Sequence, residues 1–363
     1  MTVRVGIIGC GAISESHLTA LRDHPEADII ACADVDRGAA QRRADPFGIP
    51  HVFSDTDPLL ALDDVDLVVI CVPPKWHAEI FGKAVASGKH VLIEKPLAMD
   101  LAEADRMVDL ATHLRRIIGV ALVHRYLPAY QVLRDLIQGG AIGEVRLVRV
   151  AFGRNMYEDP RFTQPDADPR GWLVDRSIAG GGILMSSSIH FLSAVSFVLG
   201  NPAARRVTAR VRRVSPKAFP GIEDEVDLWI ELEDGVDFVL RESWVSDVAY
   251  RAEFVGERGQ LVATGPNWQD PMIEGTCESP IPEPYRPCLD GARFCANPPE
   301  LTAPVRPLFG GLMADLLASI EQGTRTPRLP GLIHARNLQA VIAAAYRSEQ
   351  TGEGHAIDWR ADS

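Results

Sequence analysis

Four stretches of this chain carry residues whose type and spacing could do chemistry. Gly9-Cys10-Gly11-Ala12-Ile13-Ser14 follows an apolar run at residues 3–8 and opens an amphipathic stretch to about Arg22. Glycines at such a turn let the backbone approach an anion, and free N–H groups at the start of a helix favour negative charge, so the turn suits a pyrophosphate. Asp34 ends the next apolar run, residues 28–33. A carboxylate about 20 residues past such a turn can accept both ribose hydroxyls of an adenosine. Further on, Glu94-Lys95-Pro96 ends the run 88–93, and His190 closes a segment that begins with three glycines at 180–182. Removing hydride from a secondary alcohol requires a group that accepts the hydroxyl proton. An amine desolvated beside a positively charged ring gives up its proton more readily, and an imidazole titrates near neutrality, so Lys95 and His190 are both suited to the task.

These residues need elements to hold them. Strand, glycine turn, helix, second strand and acidic terminus, in that order, are the opening of a doubly wound parallel sheet. Ser14 stands where the third small residue of the turn would be Gly or Ala, so helix and strand are expected to pack slightly less closely. Asp34 would repel a 2′-phosphate, which favours NAD over NADP; Arg37 nearby is the residue that speaks for NADP. Residues 65–72 read as a buried strand closed by Pro73-Pro74, followed by a helix from about Trp76 to Ser87. A strand before Glu94, a helix over 101–114 and a strand over 117–123 complete the sheet. In open parallel sheets ligands bind beyond the carboxyl ends of the strands, which aims Lys95 at the cofactor crevice.

At 363 residues the chain is long enough for two domains. A hydrophobic fraction of 46% with 24% charged residues is that of a folded globular protein. No apolar run is read as approaching the roughly 18 residues of a membrane span. The first residues run directly into a strand pattern without room for a leader, which points to the cytoplasm. A net charge of −12 with no basic cluster argues against nucleic acid as a partner. The six cysteines read as reduced thiols, and Cys277, Cys288 and Cys295 lack both a Cys-x-x-Cys pair and a neighbouring His, so no metal is expected.

Taken with Gly9–Ile13 and Asp34, further motifs carry a resemblance. They are Val72-Pro-Pro-Lys-Trp-His77, Gly88-Lys-His-Val91, Glu94-Lys-Pro-Leu97, Arg125-Tyr-Leu-Pro128, Gly139-Gly-Ala-Ile-Gly-Glu144 and the segment from Gly180 to His190. The chain resembles the glucose–fructose oxidoreductase, inositol dehydrogenase and MocA family, specifically through residue 200 and by layout beyond it. The resemblance implies an α/β fold: a Rossmann doubly wound parallel sheet over 1–123 that binds NAD, then a substrate-binding and oligomerisation α+β domain over 124–363. That second domain would carry an open, mostly antiparallel sheet whose face often joins subunits, hence a homodimer or homotetramer.

By the same resemblance the cofactor residues are Gly9, Gly11, Ala12, Ile13, Asp34, Val72, Pro73, His77, Glu94, Lys95 and Arg125. The catalytic pair is Lys95 and His190, and the substrate cleft is lined by His124, Tyr126, Trp172, Asp175 and Ser186. Many family members carry an Asp four positions before the His, where this chain has Ser186. Serine cannot stabilise an imidazolium by charge, so weight shifts to Lys95. Asp175 is either a replacement carboxylate or a solvated loop residue, and His77 either touches the cofactor or caps its helix.

The later pattern agrees without the resemblance. Residues 207–214, 226–232 and 236–242 alternate as strands, with Glu233-Asp234-Gly235 as a hairpin turn, and 308–322 and 332–350 have helical periodicity. The Pro- and Cys-containing stretch 266–307 is either a substrate lid or an arm onto a neighbouring subunit. The leading expectation is interconversion of a secondary alcohol and ketone on a sugar, polyol or glycoside. The alternatives are glycoside cleavage with retained, internally recycled NAD, and a non-catalytic NAD-binding regulator.

Overall fold

The computed structural model describes residues 2–164, 170–217, 219–277, 281–290, 292–297 and 308–361. Six strands, β1 (Val3–Ile8), β2 (Ala27–Ala33), β3 (His51–Phe53), β4 (Leu67–Ile70), β5 (His90–Ile93) and β6 (Ile118–Val120), form the first sheet in the order β3-β2-β1-β4-β5-β6. All its pairings are parallel. The composition of β4, Leu-Val-Val-Ile with every residue buried, is what a strand covered on both faces requires. The strand order reverses between β1 and β4, and the crevice beyond their carboxyl ends is where this topology binds ligands.

The second sheet contains β7 (Val145–Gly153), β8 (Ala204–Arg212), β9 (Glu225–Leu232), β10 (Asp237–Ser243), β11 (Val248–Gly256), β12 (Gly259–Gly265), β13 (Met272–Thr276), β14 (Leu289–Asp290), β15 (Arg293–Ala296) and β16 (His355–Ala356). It is antiparallel except where β10 lies parallel to β7. Strands β9 and β10 form the expected hairpin, with Gly235 at φ 74°. Along β9, Val226, Leu228 and Ile230 are buried while Trp229 on the opposite face is 54% exposed, the alternation of a half-covered sheet.

Two departures from the sequence reading matter for the site. The strand expected over 117–123 ends at Val120, and Val123–Tyr126 turns as a 3-10 helix. The stretch Arg176–Val198 is, by length and composition, apolar enough to cross a membrane, contrary to the expectation that no such run exists. Its most apolar window is 83% buried inside the protein, which accounts for its composition.

The helices at Leu308–Gln322 and Leu332–Thr351 appear where expected. The first returns to the opening sheet. Its Leu312, Met313, Leu316 and Leu317 share a core with Val3, Val5 and Ile7 of β1 and with Leu18 and Leu21. The second packs against both β8 and the helix Leu101–Ala111.

Candidate active site

At the end of β1, Gly9 adopts φ +91°, and a Cβ there would lie 2.7 Å from the Cys71 carbonyl group. Only glycine allows the ends of β1 and β4 to come this close. Gly11 differs: a Cβ added to it would meet nothing within 4 Å. It caps the helix Ala12–Arg22, whose first residues Ala12 and Ile13 are exposed. Free backbone N–H groups therefore face open space at a helix start, a fit for a pyrophosphate. Ser14 is accommodated by full burial, its hydroxyl donating to the Gly11 carbonyl at 2.7 Å. Asp34 accepts from the Cys10 N–H at 2.8 Å and from the Asp36 N–H at 2.9 Å, which places its carboxylate beside the turn as a ribose acceptor requires. Val72 and Pro73, following β4, form the opposite wall and are part-buried.

Lys95 follows β5. Glu94 before it is turned inward: one oxygen lies 2.7 Å from His17 Nε2, and the other accepts from the Lys95 N–H at 3.1 Å. Burial raises the Glu94 carboxyl, but the hydrogen bond and charge of His17, with Lys95, outweigh it and hold the group below its usual value. Glu94 thus anchors the turn from behind, where a cofactor ligand was expected. His77 neither reaches toward the cleft nor provides the cap. Its ring is fully buried, with Nδ1 at 2.9 Å from the Pro96 carbonyl and Nε2 at 2.8 Å from the Val72 carbonyl, and Trp76 takes the N-cap position. It ties the end of β4 to the Lys95–Pro96 turn.

The second domain supplies the other wall. Gly182 crosses so close to β9's lead-in that a Cβ would sit 2.1 Å from the Glu223 carbonyl oxygen. The Glu223 carboxylate accepts from the Gly182 N–H at 2.8 Å, and Tyr346 donates to it at 2.7 Å. From this anchor the chain makes one π-helical turn, Leu184–Ser188, before the helix Ile189–Val198. Such turns disturb the regular helical ladder and recur at functional sites. Here the Ser186 carbonyl accepts from Lys95 Nζ at 2.8 Å. The Ser187 and Ser188 hydroxyls both donate to Glu242 on β10, the second at 2.6 Å.

His190 is part-buried and stacks on His124 with ring centroids 4.3 Å apart, and Trp268 closes on the other side of His124 at 4.1 Å. Burial, then His124 and Lys95, hold His190 well below the usual imidazole value; burial and Lys95 bring His124 to about 3. Both rings are therefore neutral near pH 7, and His190 is a weaker proton acceptor than an imidazole titrating near neutrality. The Nδ1 atoms of both rings are buried with no partner among the described residues, leaving unmet hydrogen-bonding capacity at the site.

The structure brings together Lys95, Ser186, His124 and His190, but not every expected residue. In a 3-10 turn successive side chains point about 120° apart, so His124, Arg125 and Tyr126 cannot share one face. His124 joins the stack. Arg125 is buried on the Ser193 hydroxyl at 3.0 Å and the Arg328 carbonyl at 3.2 Å, with its guanidinium over the Phe197 ring. Tyr126 donates to Asp315 at 3.1 Å within the core beside the helix Leu308–Gln322, so neither residue lines the cleft. Asp175 caps the short helix Arg176–Ala179, accepting from the Ser177 N–H at 2.8 Å and the Ser177 hydroxyl at 2.7 Å. It is a solvated loop residue. Trp172 lies part-buried in the preceding 3-10 turn, Gly171–Val174.

His17, Ser187, Ser188, Glu223 and Glu242 were not found from sequence. For Glu242 a signal existed. It shares strand parity with Phe238 and Leu240, and a carboxylate on the core face of an alternating strand is unusual unless it is partnered. Cys10, Cys32, Cys71 and Cys277 are buried free thiols, and no cluster of metal-ligating side chains occurs among the described residues.

Residues 3–122 match the oxidoreductase family with an NAD-binding Rossmann fold, and residues 130–262 match the GFO/IDH/MocA C-terminal domain. An inositol 2-dehydrogenase of Rhizobium meliloti (strain 1021) is 27% identical over 266 residues, 72% of this chain and 76% of that protein. A dTDP-3,4-didehydro-2,6-dideoxy-alpha-D-glucose 3-reductase of Saccharopolyspora spinosa is 30% identical over 262 residues, 72% of this chain and 74% of that one. The solved structure of an oxidoreductase domain protein from Kribbella flavida superimposes with a TM-score of 0.84 over 98% of this chain and 100% of its own, at 25% identity. With its glycine turn, acidic β2 terminus and Glu94-Lys95-Pro96 turn in place, this chain belongs to the Gfo/Idh/MocA family of NAD-binding oxidoreductases.

Proposed function

We propose that this enzyme interconverts a secondary alcohol and a ketone on a sugar, polyol or glycoside, with Lys95 as the group that takes and returns the hydroxyl proton. The observation that carries this reading is the placement of Lys95, at the carboxyl end of β5, with its amine on the Ser186 carbonyl and the His124–His190 stack nearby. Bound at the glycine turn, NAD would supply the hydride acceptor. Gly9, Gly11 and the start of the first helix would hold its phosphates, and Asp34 its adenosine ribose. A carboxylate at that position disfavours a 2′-phosphate, which supports NAD over NADP.

Lys95 would then accept the proton of the reacting hydroxyl, held in place by the π-turn. His190, neutral and part-exposed, would donate or accept a hydrogen bond to orient the same oxygen. Trp268 and Trp172 offer apolar ring faces suited to the C–H face of a sugar, with polar groups left for its hydroxyl edge. The similarity to an inositol 2-dehydrogenase and to a dTDP-3,4-didehydro-2,6-dideoxy-alpha-D-glucose 3-reductase supports the substrate class. The half-covered face of the second sheet, with Trp229 54% exposed, supports pairing with another copy of this chain.

The test is purified protein with NAD and then NADP against a panel of sugars, polyols and glycosides, following reduced-cofactor absorbance. Turnover with NAD that falls by about 10²–10⁴-fold in Lys95→Ala is the expected result. Absence of reduced cofactor across the panel would overturn the reading. Glycoside cleavage with retained NAD, or NAD binding alone, would identify what replaces it.

A further inference from the structure

Glu242 is a buried carboxyl that the hydride-transfer chemistry does not by itself require. It projects from β10 at 1% exposure, and its cross-strand neighbours are apolar: Val226 on β9 and Phe152 on β7. Such a position is costly for a charge without partners. Its partners are the hydroxyls of Ser187 and Ser188, consecutive residues of the π-turn that carries the Ser186 carbonyl. That carbonyl holds Lys95 Nζ at 2.8 Å.

We propose that Glu242 is the positioning residue for Lys95: through the two serine hydroxyls it fixes the turn that holds the amine, and through its charge it sets the pH at which that amine is protonated. The proposal rests on Lys95 being the proton acceptor of the preceding section. The groups facing this pair can be named. Tyr130, on the helix Pro128–Gln138, lies beside Glu242 and accepts from Tyr250 of β11 at 2.8 Å. His124 and His190 sit across Lys95, and Glu94 behind it is already committed to His17. Glu242 is thus, among the described residues, a carboxyl on the second-sheet side that answers the charge of Lys95. Burial brings it up to about 7, with the two serines and Lys95 pulling the other way, so it can change charge in the physiological range.

Ser186, one turn before His190, brings no negative charge to this turn, and Glu242 supplies a carboxyl to it from β10.

The experiment follows the Lys95 amine directly, by competitive acetylation across pH with mass-spectrometric readout, in wild type, Glu242→Gln and Glu242→Asp. Removing a nearby negative charge makes an ammonium easier to deprotonate, so the half-labelling pH should fall by about one unit in Glu242→Gln. Glu242→Asp should stay near wild type. In turnover, Glu242→Gln should move the acid limb of kcat for alcohol oxidation to lower pH by the same amount, with NADH affinity unchanged. A folded Glu242→Gln whose labelling midpoint matches wild type overturns the proposal. If that variant does not fold, a Ser187→Ala, Ser188→Ala double variant, which strips the carboxylate of both donors, takes its place with the same expected direction and the same overturning result. A shifted midpoint without turnover on any alcohol leaves the pairing standing and removes the hydride-transfer reading. Lys95-dependent turnover with an unmoved midpoint does the reverse.

Discussion

The two walls of the cleft hold their buried carboxyl groups in opposite ways. On the first-sheet side Glu94 is paired with His17, and its proton affinity is held down despite burial. On the second-sheet side Glu242 accepts from the neutral hydroxyls of Ser187 and Ser188, and burial brings it up to about 7. One wall is a buried His17–Glu94 pair behind a backbone cradle; the other is a carboxyl raised to about 7 by burial. The division suits an enzyme that must bind a constant cofactor while moving a proton at every turnover.

The cradle is where the comparison should break most sharply under substitution. Gly9→Ala must adopt a left-handed φ and push against the Cys71 carbonyl, so it should cost roughly 3–5 kcal/mol in denaturant unfolding. Gly11→Ala, whose methyl meets only open space, should leave stability within about 0.5 kcal/mol yet weaken NADH binding roughly a hundredfold, about 2.7 kcal/mol, in a fluorescence titration. Unchanged NADH affinity in Gly11→Ala would mean that the space above Gly11 is not reserved for a ligand.

A smaller effect comes from the buried His17–Glu94 contact. His17→Ala leaves Glu94 buried without its partner and should cost about 3 kcal/mol, read from urea midpoints near pH 7. A loss below about 1 kcal/mol would show that the pair is not holding the Lys95 turn.

Smallest, and most diagnostic of the contrast, is the pH dependence. A carboxyl whose folded value is raised contributes stability that is full below its unfolded value and is lost as pH rises toward the folded one, here about 7. Wild type should therefore lose stability relative to Glu242→Gln between about pH 4.5 and 7, with a slope of at most about 1.4 kcal/mol per pH unit. Glu94, with its value lowered, contributes with the opposite sign: its stabilisation is present above the usual carboxyl range and lost on acidification. If Glu242→Gln unfolds with the same pH profile as wild type, the second wall does not titrate.

What could be read from the chain in advance follows the same divide. The glycine turn, Asp34 and the Lys95 turn are local: each is set by a strand end and the few residues after it, and the parallel sheet puts those ends together by rule. The 236–242 run was recognisable by its alternation, and Asp28–Ala33 as a short apolar run between the first helix and an acidic end. Arg125 and Tyr126 were misplaced because β6 ends three residues earlier than expected and the chain then turns as a 3-10 helix over Val123–Tyr126, which sets the direction of each side chain. Glu242 went unseen because its partners lie more than fifty positions away, a pairing that depends on how two separate elements meet. His77 shows a third kind of failure. Its residue type suggests chemistry, while its three carbonyl neighbours make it a brace.

The return of the helix Leu308–Gln322 to the opening sheet bears on how the polypeptide matures. Its leucines complete the apolar layer over β1 and the first helix, so these elements are synthesised well before the segment that covers their hydrophobic surface. Domains usually finish in the order they are synthesised. In this protein the opening sheet must persist with an exposed flank until the helix Leu308–Gln322 has emerged and folded back onto it.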